Sequence, residues 1–99
     1  MVAYLVAHLA MLDPSWLESE YTALLPALME RHGGEYLAAG EHVQVEGDGL
    51  GEWTSVVRFP TIEAAHSFWD DPDYQRVAPL RRSGSTSQVI LIDGLSSQP

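Results

Sequence analysis

The stretch VAYLVAHLAMLDP, Val2–Pro14, decides the fold. Val2–Leu12 is an apolar run rich in strand-forming residues, and about half the length that a membrane span requires. Asp13-Pro14 follows it with a helix start, Asp13 at the N-cap and Pro14 in the first helical position. Side chains alternate along a strand, so Leu5, Ala7, Leu9 and Met11 share one face and Tyr4, Val6, His8, Ala10 and Leu12 the other. The first set is uniformly apolar and belongs under a layer of helices. The second mixes Tyr4 and His8 with small and branched residues and needs a different partner.

Outward from this strand, Leu17, Tyr21, Leu24 and Leu28 recur at helical spacing and predict a helix with one apolar stripe. Pro26 inside it predicts a kink, and Gly33-Gly34 a left-handed stop after Arg31 and His32. Glu35–Glu46 reads as a second strand, with a bulge expected at Gly40. Gly47–Gly51 reads as the hairpin connection and Glu52–Phe59 as a third strand closed by Pro60. Thr61 caps a helix over Thr61–Asp70, Pro72 ends or restarts it, and Asp73–Arg82 continues as helix. Gln88–Asp93 is a short buried strand, and the polar tail from about residue 95 is expected to fray. The order β-α-β-β-α-β is that of a ferredoxin-like α+β domain, and residues 1–99 read as one such domain. Its two helical segments cover one face of a four-stranded antiparallel sheet and leave the other bare. On the third strand Trp53, Ser55, Val57 and Phe59 oppose Thr54, Val56 and Arg58, so neither face is fully polar. A half-apolar bare face predicts an interaction surface, and a second copy of the chain is the expected partner.

Apolar residues make up 45% of the 99 positions, which fits one small globular domain rather than a disordered chain. The absence of cysteine excludes disulfides and thiolate chemistry. A net charge of −9, with Arg81-Arg82 as the one basic cluster, argues against nucleic-acid and anionic-membrane partners. No charged segment followed by an apolar one opens the chain, so no leader is expected and the cytoplasm is the default location.

Four histidines, His8, His32, His42 and His66, raise the question of a metal, but zinc or iron requires three or four converging ligands. Only His8 and His42 are expected to share a face, so neither a metal nor a cofactor is expected. His8 is the candidate catalytic residue: it lies on a central strand, and imidazole transfers protons near neutral pH. The alternative role for His8 is a neutral core histidine bonded across a dimer. Tyr4, His42, Trp53, Arg58 and Tyr74 are the candidate lining of a pocket or interface. Trp16, Trp53, Trp69 and Tyr74 form an aromatic set fit for a pocket, though Trp69 and Tyr74 are equally fit to pack helix on sheet. Asp70, Asp71 and Asp73 flank Pro72 and read as a solvated turn. Gly47–Gly51 lacks the lysine and following helix of a phosphate cradle.

Ala3-Tyr4, His8, Asp13-Pro14, Pro26, Gly33-Gly34 with Tyr36-Leu37, Glu46-Gly47-Asp48, Phe59-Pro60-Thr61, Glu63-Ala64-Ala65, Phe68-Trp69, Pro72, Tyr74-Gln75, Leu80-Arg81 and Val89–Gly94 together resemble domain of unknown function family 1330. The resemblance covers Ala3 to Gly94 and implies a dimeric α/β-barrel, two sheets packed face to face, without implying a reaction. The chain departs from the family pattern at Ala10, Ala39, Gly49, Trp53 and Arg58. Family members often carry an arginine where Ala39 stands, and Arg58 is one candidate replacement, set opposite Glu41 in one hairpin register. Two functions follow as expectations. One is a homodimeric binding or structural module. The other is a small-molecule enzyme, isomerase- or monooxygenase-like, with its pocket between sheet and helices and His8 as acid–base group.

Overall fold

The computed structural model describes residues 1–95. Strands β1 (Ala3–Met11), β2 (Glu35–Glu41), β3 (Trp53–Phe59) and β4 (Ser85–Ile92) form one antiparallel sheet in the order β2-β3-β1-β4. Helices α1 (Glu20–Arg31), α2 (Ile62–Asp70) and α3 (Pro72–Ser83) pack on one face of it. The first strand is central, and its alternation holds: Leu5 and Leu9 are buried in the helix-side layer with Val57 and Phe59 of β3. No helix among the described residues is long and apolar enough to cross a membrane.

The core is aromatic. Phe68 of α2 lies 5.6 Å from the Phe59 ring and 4.6 Å from Tyr74 of α3, both within the range of favourable ring pairs. Phe59, Phe68, Leu28, Val57 and Val77 are fully buried, each contributing about 1.5–3 kcal/mol on leaving water.

Several local expectations need correction. The first helical region is divided, because Asp13 caps only a 3-10 turn over Pro14–Glu18, where it accepts from Ser15 N at 3.0 Å. Ser19 then starts α1 afresh: its hydroxyl donates to Trp16 O at 2.5 Å and accepts from Tyr21 N at 3.2 Å. Helix α1 runs through Pro26 to Arg31. Strand β2 stops at Glu41, short of Glu46, and β4 begins at Ser85, ahead of Gln88. The bulge sits at Leu37 instead of Gly40, between the pairs Tyr36–Val57 and Ala38–Val56. That one extra residue returns Tyr36 and Ala39 to the same face, where simple alternation separates them. The register sets Glu35, not Glu41, opposite Arg58, and the two form an ion pair at 2.9 Å.

The acidic trio is only in part a solvated turn. Asp71 is only 8% exposed and serves as the N-cap of α3, accepting from Asp73 N at 2.9 Å. It also accepts from His32 Nε2 at 2.7 Å and Arg31 Nη1 at 2.8 Å, tying the end of α1 to the α2–α3 junction. The bond from His32, then that from the Asp73 amide, holds its carboxyl down at a pKa of about 2. Asp70 and Asp73 are exposed. Of the tail, residues 96–99 lie outside the described residues, so the expected fraying from about residue 95 falls there.

Candidate functional site: a cavity between sheet and helices

On the helix side of the sheet, neighbouring strands place Ala39, Ser55, Ala7 and Val89 in one row. The first three are small. Larger residues flank them: Leu5 and Val57 pair on one side, Leu9 and Trp53 on the other. Tyr21, Leu25 and Met29 of α1 lie above this low floor and do not fill it. The result is a cavity of about 450 Å³, within the usual range for small-molecule sites. Its mouth is at the β2 edge, where the lining residues Leu17, Thr22, Tyr36, Ala39 and Trp53 are exposed. The helices leave strand β2 uncovered, and that opens the cavity.

The walls are mainly apolar and aromatic. Trp16, Trp53, Trp69 and Tyr74 all line it, so the aromatic set noticed in the sequence converges on one space. Trp69 and Tyr74 also pack on each other, with ring centres 5.4 Å apart, and so serve core and cavity together. Polar groups are few. The Tyr21 and Tyr74 hydroxyls lie 3.4 Å apart within the buried layer. Burial, with Tyr74 close by, pushes the Tyr21 phenol far above its ordinary value, so its hydroxyl is neutral and available as a donor. Arg81 enters from the last turn of α3, only 5% exposed, with its guanidinium carbon 5.8 Å from the centre of the Tyr21 ring. It donates to Ser87 Oγ.

His8 is not part of this cavity, which corrects the expectation of a sheet–helix pocket built around it. His8 faces the other way, on the bare side of the sheet. There its Nδ1 lies 3.1 Å from Thr54 Oγ1, which lies 2.6 Å from His42 Nδ1. The 42–52 loop forms a shallow hollow beside His8 with Gln44, Gly49, Leu50 and Gln88. Tyr4 and Arg58 pair across β1 and β3 on this same bare side. Arg58 therefore does not substitute for an arginine at position 39, because Ala39 lies on the cavity floor. Of the sequence-selected set, Trp53 and Tyr74 reach the cavity, and Tyr4, His8, His42 and Arg58 occupy the opposite face.

Arg81 and Tyr21 were not selected from the sequence as site residues. The signal for Arg81 was present: Tyr74, Val77, Ala78 and Arg81 follow i, i+3, i+4, i+7, a buried helical stripe ending in a cation. Among the described residues no three His, Asp or Glu side chains converge in a way that could hold a metal.

The strand order and the single helical layer define a ferredoxin-like α+β domain, here with a ligand-sized cavity beneath its helices. The chain belongs to the family described as domain of unknown function DUF1330, matched over residues 2–95. No curated protein matches it. A protein of unknown function from Rhodopseudomonas palustris is similar in structure, with 18% identity over 96% of this chain and 83% of that one and a TM-score of 0.70. A dimeric ferredoxin-like protein of unknown function from Jannaschia sp. shares 16% identity over 94% of this chain and 99% of its own, with a TM-score of 0.71. SnoaB, a cofactor-independent oxygenase from Streptomyces nogalater, shares 18% identity over 99% of this chain and 97% of its own, with a TM-score of 0.65. At these identities the likeness is one of fold.

Proposed function

We propose that the chain is a homodimeric binding module, joined through the bare faces of its sheets, that holds a ring-sized apolar small molecule in each protomer's cavity. The observation that carries this reading is the floor Ala39–Ser55–Ala7. Interiors pack densely, and a core that leaves about 450 Å³ above three small side chains forgoes packing energy in order to admit something. The aromatic walls and mouth suit a flat ring system.

The dimer rests on the bare face. Ala38, Val56, Val6 and Ile90 form an apolar row across all four strands, with Ile90 55% exposed. Such a row on a surface that no helix covers suits isologous packing against a second copy. The Jannaschia protein is described as dimeric, in keeping with this reading.

A second reading, an enzyme acting on the bound molecule, is favoured by the paired hydroxyls of Tyr21 and Tyr74 and by Arg81 against the Tyr21 ring, all three residues lining the cavity. SnoaB shares the fold and is an oxygenase that needs no cofactor. In this reading the tyrosine pair supplies hydrogen bonds to the substrate, and His8 belongs to the dimer face.

Thermal shift with neutral ring probes, led by 2-naphthamide, tests the binding reading. A ligand at 100 times its dissociation constant adds about 2.7 kcal/mol to folded-state stability. The melting temperature of the wild type should rise, and that of Ala39→Trp, whose cavity mouth is filled, should not. No shift with any probe at millimolar concentration contradicts the reading.

A further inference from the structure

A charged side chain is out of place in this cavity, and Arg81 is the exception. Its guanidinium carries five N–H donors in a rigid plane. Among the described residues its one side-chain acceptor is Ser87 Oγ, and no carboxylate lies within ion-pairing distance. Arg31, Arg58 and Arg76 differ: each is about half exposed and meets an Asp or Glu. A buried charge without a counter-ion is costly. The face of Tyr21 and the negative end of α3 offset part of that cost. Among the described residues no buried side-chain nitrogen is sealed away without a partner, so the remaining Arg81 donors reach open space, and the open space beside them is the cavity.

We propose that Arg81 is the acid-recognition residue of this cavity, and that the physiological ligand carries one carboxylate on an apolar, ring-sized body. The inference rests on the cavity being a ligand site, and it names the class of ligand. A carboxylate matches the planar fork of a guanidinium with two parallel hydrogen bonds. Tyr21, whose ring centre lies 5.8 Å from the guanidinium carbon, stays neutral, so its hydroxyl can serve as a further donor to the same acid. The apolar body lies along Ala7 and Ser55 towards Trp53 at the mouth. The protein as a whole is charged −9, so general electrostatics repel an anion, and a preference for one must come from a local cation.

The test is calorimetric titration with 2-naphthoate and its neutral isostere 2-naphthamide. The wild type should bind naphthoate at least tenfold tighter than naphthamide. Arg81→Met should abolish that preference while still binding naphthamide, and Arg81→Lys should keep part of it. If Arg81→Met does not fold, the wild-type pair and the lysine variant still decide the matter. Equal affinity of the wild type for both probes, or a preference unchanged in Arg81→Met, overturns the role of Arg81 and leaves the cavity a ligand site. Failure of both probes to bind removes the cavity reading and this inference with it.

Discussion

His8 and His42 are joined through a single hydroxyl: Thr54 Oγ1 lies 3.1 Å from one Nδ1 and 2.6 Å from the other, and the two rings meet edge-on with centres 5.6 Å apart. A hydroxyl has one proton to give, so at least one imidazole must carry its own proton on Nδ1 and donate. The bridge links β1 to the segment after β2 across the intervening β3.

Thr54→Val keeps the shape and removes the bridge, leaving two ring nitrogens without a partner. The variant should lose about 1–2 kcal/mol in urea unfolding, the ordinary cost of an orphaned polar group. Its affinity for a cavity ligand should not change, because Thr54 lies on the opposite face of the sheet. A large loss of ligand affinity would mean that the two faces are coupled.

Ile90→Asp places a charge in the middle of the apolar row on the bare face, at a side chain already 55% exposed in the single chain. The protomer fold should survive. Sedimentation equilibrium at micromolar concentration should give twice 10.9 kDa for the wild type and 10.9 kDa for the variant. A wild type that sediments as a single chain removes the dimer from the account.

Asp71 makes the fold sensitive to acid. Its pKa falls from 3.8 to about 2 on folding, so the stability it lends is fully present above about pH 3.8 and is lost as pH falls through 2. Asp71→Asn should lower the melting temperature at pH 7, and the gap to wild type should narrow steadily between pH 4 and pH 2. A gap of constant width over that range would assign the loss to packing and not to charge.

Phe68→Ala tests the aromatic core. The ring is 1% exposed, touching Phe59 on one side and Tyr74 on the other. Its removal should cost roughly 3–5 kcal/mol, enough to unfold a marginal domain at 37 °C. Loss of Phe68 also slackens the Tyr74 wall, so ligand binding should weaken wherever the variant still folds.

Much of this architecture was legible in Val2–Pro14 and in the element order. The two-residue period of β1 sorted its side chains correctly, because every residue from Ala3 to Leu9 pairs with β3 without interruption. The same period failed on β2. A bulge adds a residue without changing composition, and Leu37 carries no mark that Gly40 lacks. Ser19 does not stand out as a cap in the sequence, because the run from Leu17 to Leu28 has helical spacing throughout, whereas the break depends on one hydroxyl bonding in both directions. Asp71 reads as solvated among its acidic neighbours, since its partners His32 and Arg31 lie some forty positions upstream. The cavity was least visible. It arises from Ala7, Ser55 and Ala39 falling into one row, and that row exists only once three strands are in register.

Whether the cavity is the ligand site is settled by locating a bound ligand. A crystal structure with the strongest probe from the thermal-shift screen should show its ring between Ala7 and Ser55 below and Tyr21 and Leu25 above, with the mouth at Trp53. Density for the probe on the bare sheet face beside His8, with the cavity empty, would contradict the account.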